Sequence, residues 1–211
     1  MKSGLVVMLS TLCLLTSCSS TEADEPYPAV ISEIVTFRID DALRMTIRTD
    51  EGKVYTVTSE VANKKANTYG RLLCDYVIES DGCVKLMGFQ SVGILRDATP
   101  PVTTPVHDPV GVVSIWQKGG FINMHLSPKT QSDPFKQGWG FVRDRQRPNL
   151  AGGITHELSL HHNQKEDPLA YTSDIYLTLV IDSVSKTFAT KDSIELTLTS
   201  FDGPYIFRYG K

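Results

Sequence analysis

The sequence predicts an all-β protein in two halves, an N-terminal OB-like five-stranded barrel followed by a C-terminal β-sandwich. Three observations lead there. From Ala29 onward apolar and polar residues alternate with a period of two, the signature of strands with one buried face. Turn residues such as Asp50-Glu51-Gly52 and Gly119-Gly120 punctuate that alternation. Between residues 99 and 109 prolines interrupt it, and proline cannot donate to a central ladder.

In the first half, residues 29–98, Ile31, Val35, Phe37 and Ile39 share one face of a first strand. Leu43, Met45 and Ile47 alternate with Arg44, Thr46 and Arg48 in a second. Lys53 to Thr58 returns as a third, and Arg71 to Ile78 and Cys83 to Leu95 give a fourth and fifth. Glu60 to Thr68 has room for a short helix. Five short strands with such an interruption suit a small Greek-key barrel of the OB type. Pro100, Pro101 and Pro105 then make 99–109 a stiff extended linker and the natural domain boundary.

In the second half, residues 110–211, Val110 to Gln117 and Phe121 to Leu126 read as a hairpin with Ile122, Met124 and Leu126 inward. Thr155 to His161 forms another strand, with Leu158 and Leu160 inward. Ile175, Leu177, Leu179 and Ile181, then Ile194, Leu196 and Leu198, repeat the pattern, and Tyr205 to Tyr209 closes the chain. This spacing predicts a sandwich. Ser127 to Gly153, rich in Pro, Gly, Asp and Arg, reads as a long loop, a kind of segment that often carries function.

Residues 1–17 read as a secretory signal. Lys2 supplies positive charge, and the apolar stretch from Leu5 to Leu15 is shorter than the ~20 residues that span a bilayer. Leu15-Thr16-Ser17-Cys18 resembles a lipobox, in which small residues admit a signal peptidase and the cysteine thiol accepts the lipid. Residues 18–28 then form a polar, acidic tether. Position 19 is Ser rather than Asp, and the acids after it resemble surface-export signals of lipoproteins, so the expected location is the outer membrane, on its periplasmic or cell-surface face. Acyl chains such as palmitate anchor stably because each buried CH₂ adds about 0.8 kcal/mol.

The chain has 21 Lys+Arg against 24 Asp+Glu, and losing Lys2 with the signal leaves the mature protein slightly more negative. With no basic stripe, nucleic-acid binding has little electrostatic support. Cys13 leaves with the signal and Cys18 carries lipid, so Cys74 and Cys83 remain for the folded body. In an oxidising compartment they could pair. A turn at Glu79-Ser80-Asp81-Gly82 sets Cys83 near Ile78 and several residues from Cys74, which favours two free thiols.

Gly120-Phe121-Ile122-Asn123-Met124, His156 to Asn163, Ile175-Tyr176-Leu177-Thr178-Leu179 and the closing Phe207-Arg208-Tyr209, together with the lipobox and the proline connector, resemble the NigD-like lipoproteins. The resemblance spans nearly the whole mature chain. It implies an OB-like domain followed by a β-sandwich, and it brings no catalytic residues.

Candidate chemistry is sparse. His156, His161 and His162 lie close together, yet His161 and His162 point to opposite faces of a strand. His156 and His162 share a face but sit roughly 20 Å apart at ~3.3 Å per residue, so no metal site is expected. His125, between inward Met124 and Leu126, should face solvent. No Gly-x-Ser-x-Gly elbow or other nucleophile setting is present, and no cofactor is implied. Trp116, Phe121, Phe135, Trp139 and Phe141 gather around the long loop, followed by Arg143, Arg145 and Arg147. Of these, Trp139, Phe135, Phe141 and Arg143 are the candidate ligand contacts. In the alternative arrangement Trp116 and Phe121 are core residues and the arginines a solvated run. The expected function is an accessory envelope lipoprotein, not an enzyme, that binds a protein partner. A carbohydrate binder using Trp139 is the alternative, and an unrecognised hydrolase a third. The anchor is directly testable: Cys18→Ala should move the protein from the membrane to the soluble fraction, and unchanged membrane association would refute lipidation at that residue.

Overall fold

The computed structural model describes residues 28–101 and 104–210, so the signal segment, the lipidation site Cys18 and the tether up to Tyr27 lie outside the described residues. The first half holds β1 (Ile31–Ile39), β2 (Met45–Thr49), β3 (Val54–Val57), β4 (Thr68–Ser80) and β5 (Cys83–Ile94). β1 lies antiparallel between β2 and β4, β4 and β5 form a hairpin, and β3 pairs with β2 on one side. On its other side β3 runs parallel to β5, with Thr56 opposite Cys83, which closes the five strands into a ring. Val35, Ile39, Met45, Ile47, Leu72, Cys74, Tyr76 and Val84 fill it.

Two local expectations fail here. Leu43 does not face inward: it sits in the turn before β2 with φ 59° and is 46 % exposed. The Asp40 carboxylate closes that turn by accepting from the Arg44 backbone N–H at 2.8 Å, so the alternation starts only at Met45. Glu60 to Thr68 forms turns, not a helix. Asn63 and Asn67 take left-handed φ values of 57° and 56°, which a right-handed helix cannot contain. The two cysteines are free: Cys83 lies opposite Ser80, whereas Cys74 lies opposite Phe89. Burial, aided by Glu33 and Asp75, pushes the Cys74 thiol up to about 12.

The second half adds β6 (Arg96–Asp97), β7 (Gly111–Lys118), β8 (Phe121–Ser127), β9 (Lys129–Thr130), β10 (Gly138–Pro148), β11 (Ile154–Asn163), β12 (Tyr171–Thr172), β13 (Ile175–Val180), a single helical turn α1 (Ile181–Val184), β14 (Ser193–Ser200) and β15 (Gly203–Gly210). One sheet has the order β3-β2-β1-β4-β5-β13-β8-β7 and the other β15-β14-β11-β10-β6. Between them lies the sandwich core, with Ile122, Met124 and Leu126 from β8, Leu177 and Leu179 from β13, and Phe141, Leu158, Leu160, Ile194, Leu196 and Leu198 from the facing sheet.

The expected loop from Ser127 to Gly153 is mostly structured. It contains β9, a 3-10 turn at Pro134–Lys136, and the eleven-residue β10 paired along β11. A bulge between Arg143 and Arg145 breaks the period-two pattern within β10, which hides the strand from a reading by alternation. Arg145 and Arg147 both donate to Glu157, each at 2.5 Å, and Arg208 donates to Glu195 at 2.9 Å, so these arginines line the exposed face of the second sheet. The segment between the halves is bonded to that sheet. Ala98 N–H donates to Phe141 at 2.7 Å, His162 N–H to Val106 at 2.9 Å and Val110 N–H to Thr199 at 3.0 Å.

The halves share more than a connection. β5 ends by pairing parallel with β13, Gly93 opposite Leu177 and Ile94 opposite Thr178. A Cβ on Gly93 would lie 2.7 Å from the tip of the Leu177 side chain and 3.2 Å from the Phe135 ring, so both side chains pack over the bare glycine. Next to that junction Arg71 of β4 is 3 % exposed. Its guanidinium donates to both Asp50 carboxylate oxygens, at 2.5 and 2.9 Å, and to the Asn123 side-chain carbonyl of β8 at 3.1 Å. Asn123 in turn donates to Asp50 at 3.1 Å and accepts from Thr178 at 2.7 Å. The Phe121 ring lies 3.8 Å from the guanidinium carbon. The Asp50 carbonyl occupies the space that a Cβ on Gly119 would need, so the β2–β3 turn docks on the β7–β8 turn through a bare glycine. Truncating one partner of such a buried pair strands the other charge, at a cost of about 3–5 kcal/mol. Arg71→Ala should lower the urea-unfolding free energy by about that amount, and Arg71→Met paired with Asp50→Leu should recover much of it; an unaffected Arg71→Ala protein would show that the cluster carries no stability.

Candidate functional site

The predicted contact residues do not converge. Phe141 is fully buried in the sandwich core, where it pairs across β11 with Leu160, so it presents no ring to a ligand and that assignment is corrected. Trp139 is half-buried. Its ring stacks on His162, the residue opposite it in β11, with centroids 4.0 Å apart, and its indole N–H donates to the Pro134 carbonyl at 2.9 Å. Phe135 is 42 % exposed and lies over Gly93 at the end of β5. Arg143 pairs with Asp97 at 3.0 Å and donates to the Ser183 carbonyl at 2.8 Å. Trp116 and Phe121 lie in the other sheet, at the junction of the halves.

What the region around Trp139 does build is a cleft of about 550 Å³, lined by Gln131, Ser132, Lys136 and Gln137 on one side and Gln164 to Pro168 on the other, whose long side chains present mostly apolar stems with polar ends. The short β9–β12 pair, Tyr171 opposite Thr130, joins its two walls. Asp167 is the hub. Its carboxylate accepts from the Thr130 hydroxyl, from the Gln131 backbone N–H at 3.0 Å and from the Gln137 amide at 2.9 Å, and these bonds hold its pKa down at about 2. Gln137 is buried and also donates to the Lys129 carbonyl at 3.1 Å, which turns its own carbonyl toward His162 Nε2, 2.8 Å away. His162 Nδ1 donates to the Asp108 carbonyl at 2.9 Å. Burial pulls the His162 pKa below its ordinary value, against the opposing pull of Asp108 on the protonated ring. Hydrogen bonds thus run from the cleft through Gln137 to His162, whose ring stacks on Trp139 behind it.

The other histidines are held separately. His161 Nδ1 accepts from the Val106 N–H at 3.0 Å, and burial lowers its pKa. His125, expected on a solvated face, is half-buried, stacks on Tyr176 and pairs with Asp174 at 2.9 Å. Among the described residues no group of three His, Cys, Asp or Glu side chains is arranged to hold a metal, and no Ser, Thr or Cys side chain donates to an imidazole. The cleft offers amide, carboxylate and ammonium groups for polar contacts. Sequence reasoning missed Gln137 and Asp167; the one local signal was the turn-forming pair Asp167-Pro168.

Architecture and site together describe an all-β protein in which a five-stranded ring is joined to a sandwich through a continuous sheet. Residues 103–209, half of the chain, match the NigD-like C-terminal beta sandwich domain, and the chain belongs to the NigD-like family. A NigD-like immunity protein from Bacteroides caccae is 25 % identical, with a TM-score of 0.62 over 88 % of this chain and 94 % of that one. A protein of unknown function from Bacteroides vulgatus is 17 % identical, with a TM-score of 0.67 over 87 % and 92 %. A candidate lipoprotein from Bacteroides fragilis is 13 % identical, with a TM-score of 0.59 over 86 % and 97 %. The last two similarities concern the fold. Among curated proteins none matches the chain.

The depressed pKa of Asp167 has a pH consequence. A carboxylate whose folded pKa lies near 2 against an ordinary 3.8 stabilises the fold fully above pH 3.8 and loses that contribution as pH falls toward 2. Asp167→Asn should therefore flatten the stability profile between pH 4 and pH 2. An unaltered profile would mean that the carboxylate does not hold the cleft walls.

Proposed function

We propose that this NigD-like protein is a non-enzymatic lipoprotein, held at the outer membrane by Cys18, whose β body binds a protein partner in the envelope. The lipobox and signal segment support the anchor, and the structural likeness to a candidate lipoprotein agrees with it. Protein binding is compatible with the immunity role in the name of the Bacteroides caccae relative.

The observation that carries the binding reading is a groove on the five-stranded ring, of mixed polar and apolar lining, flanked by exposed apolar side chains. Met87 sits at a bulge in β5, where Leu86 and Gly88 pair with consecutive residues of β4. Met87 is 60 % exposed and Phe89 is 53 % exposed. With Val61 and Leu86 they border a groove of about 220 Å³ that Ser59 ties down by accepting from the Leu86 N–H at 3.0 Å. Large apolar side chains left in water at neighbouring positions are costly, and Met and Phe are enriched where proteins meet. Lys85, Met87 and Phe89 alternate along β5 and share its exposed face, so the two apolar side chains stand side by side in water.

The test is crosslinking of the full chain in intact cells, followed by mass spectrometry of what is captured. One abundant envelope protein should be recovered with the wild type and lost with Met87→Glu and Phe89→Glu. Capture that is indifferent to both substitutions, or no captured protein at all, would refute partner binding at this groove.

A further inference from the structure

We propose that the junction between the two halves is a binding site for a single neutral sugar unit, free or at the end of a glycan. A cleft of about 290 Å³ opens there, just under the range of drug-sized ligand sites, roughly 300–1,000 Å³, and so sized for one small unit. β7 contributes Trp116 and Lys118, two residues apart and so on one face of the strand. From the ring, β1 contributes Ser32, Glu33 and Ile34, and β4 contributes Leu73, which lies opposite Ile34. Asp50 and Asn123 of the buried Arg71 cluster complete the lining, so the walls are fixed by the same bonds that join the halves.

The chemistry of the lining selects the ligand class. Lys118 Nζ donates to Glu33 at 2.9 Å and lies 3.4 Å from Glu51, and Glu33 also accepts from the Tyr76 hydroxyl at 2.6 Å. Lys118 is shared by Glu33 and Glu51 while Arg71 answers Asp50, so the only surplus is one negative charge, on a carboxylate pair whose Glu51 member is mostly in solvent; that disfavours anions and builds no enclosed cation site. What remains is a polar rim with spare hydrogen-bonding capacity beside an apolar wall. The ammonium has three donors, and the Glu33 carboxylate has lone pairs beyond the two it uses. Trp116 is half-buried, and among the described residues its indole N–H makes no hydrogen bond, unlike that of Trp139. A pyranose matches this set. Its C–H face packs on an indole, and its hydroxyls both donate and accept. Behind the lining, Arg71 Nε is buried without a partner, so the junction still holds an unanswered polar group.

The site is distinct from the Trp139 region and from the groove at Met87, so it stands or falls independently of partner binding. The test uses the full chain in a zwitterionic detergent without a sugar headgroup, titrated with methyl α-glucoside, methyl β-galactoside and N-acetylglucosamine by calorimetry. Saturable binding of at least one of the three is expected. Trp116→Ala should weaken it by about 10-fold or more, a loss of ~1.4 kcal/mol that suits one stacked aromatic. Trp139→Phe should leave it unchanged. Lys118→Met, at a side chain about one-third exposed, keeps the fold and should also weaken binding, so the proposal remains decidable if Trp116→Ala does not fold. No saturable binding of any of the three sugars, or affinity unmoved by the Trp116 and Lys118 substitutions, would overturn it.

Discussion

A guanidinium at 3 % exposure obliges the chain to surround it with acceptors, because leaving any of its charge unanswered in the interior costs several kcal/mol. Arg71 meets most of that demand from both halves at once, its Nε alone lacking a partner among the described residues. The ring supplies Asp50, and the sandwich supplies Asn123 and the face of Phe121. Neither half can move away without stripping acceptors from a buried cation. The β2–β3 turn is consequently pressed onto Gly119, and the end of β5 is fixed against β13 through Gly93. Desolvation cancels much of what the ion pair gains, so the cluster is better understood as selecting one arrangement of the halves than as a large reserve of stability.

That constraint places the surfaces that could carry function. The junction cleft exists because Trp116 and Lys118 of β7 are held opposite Glu33 of β1, and a salt link between the halves runs across it. The cleft around Asp167 is built within the sandwich half alone, on a side chain relay through Gln137 to His162. The groove beside Met87 belongs to the ring alone. A body with a rigid joint presents such surfaces in a fixed mutual orientation, which suits a molecule that binds more than one thing.

Much of the fold was legible in the sequence because most strands bury one face only. Ile175, Leu177 and Leu179, or Ile194, Leu196 and Leu198, alternate cleanly and face the core as expected. β10 was not legible, since its bulge shifts the phase halfway and its arginines stand on an exposed face, answering Glu157 of the neighbouring β11 and, from Arg147, Glu195 of β14. The missed turn at Leu43 and the absent helix after Glu60 both rest on single residues in left-handed conformation, which period-two counting does not register. For the site the limit is different. Trp139 and Phe141 looked alike in sequence, but their neighbours in space separate them: one stacks on His162, and the other lies inside the core. The cluster of Arg71, Asp50 and Asn123 spans three distant segments, and no local pattern could announce it.

Native-state hydrogen exchange of the full chain tests the central claim, that the buried Arg71 cluster makes the two halves one cooperative unit. The account predicts that the slowest amides of β1 and β4 and those of β8, β11 and β13 exchange with the same opening free energy and the same response to denaturant. Two separate sets of openings, one for the ring and one for the sandwich, would contradict it.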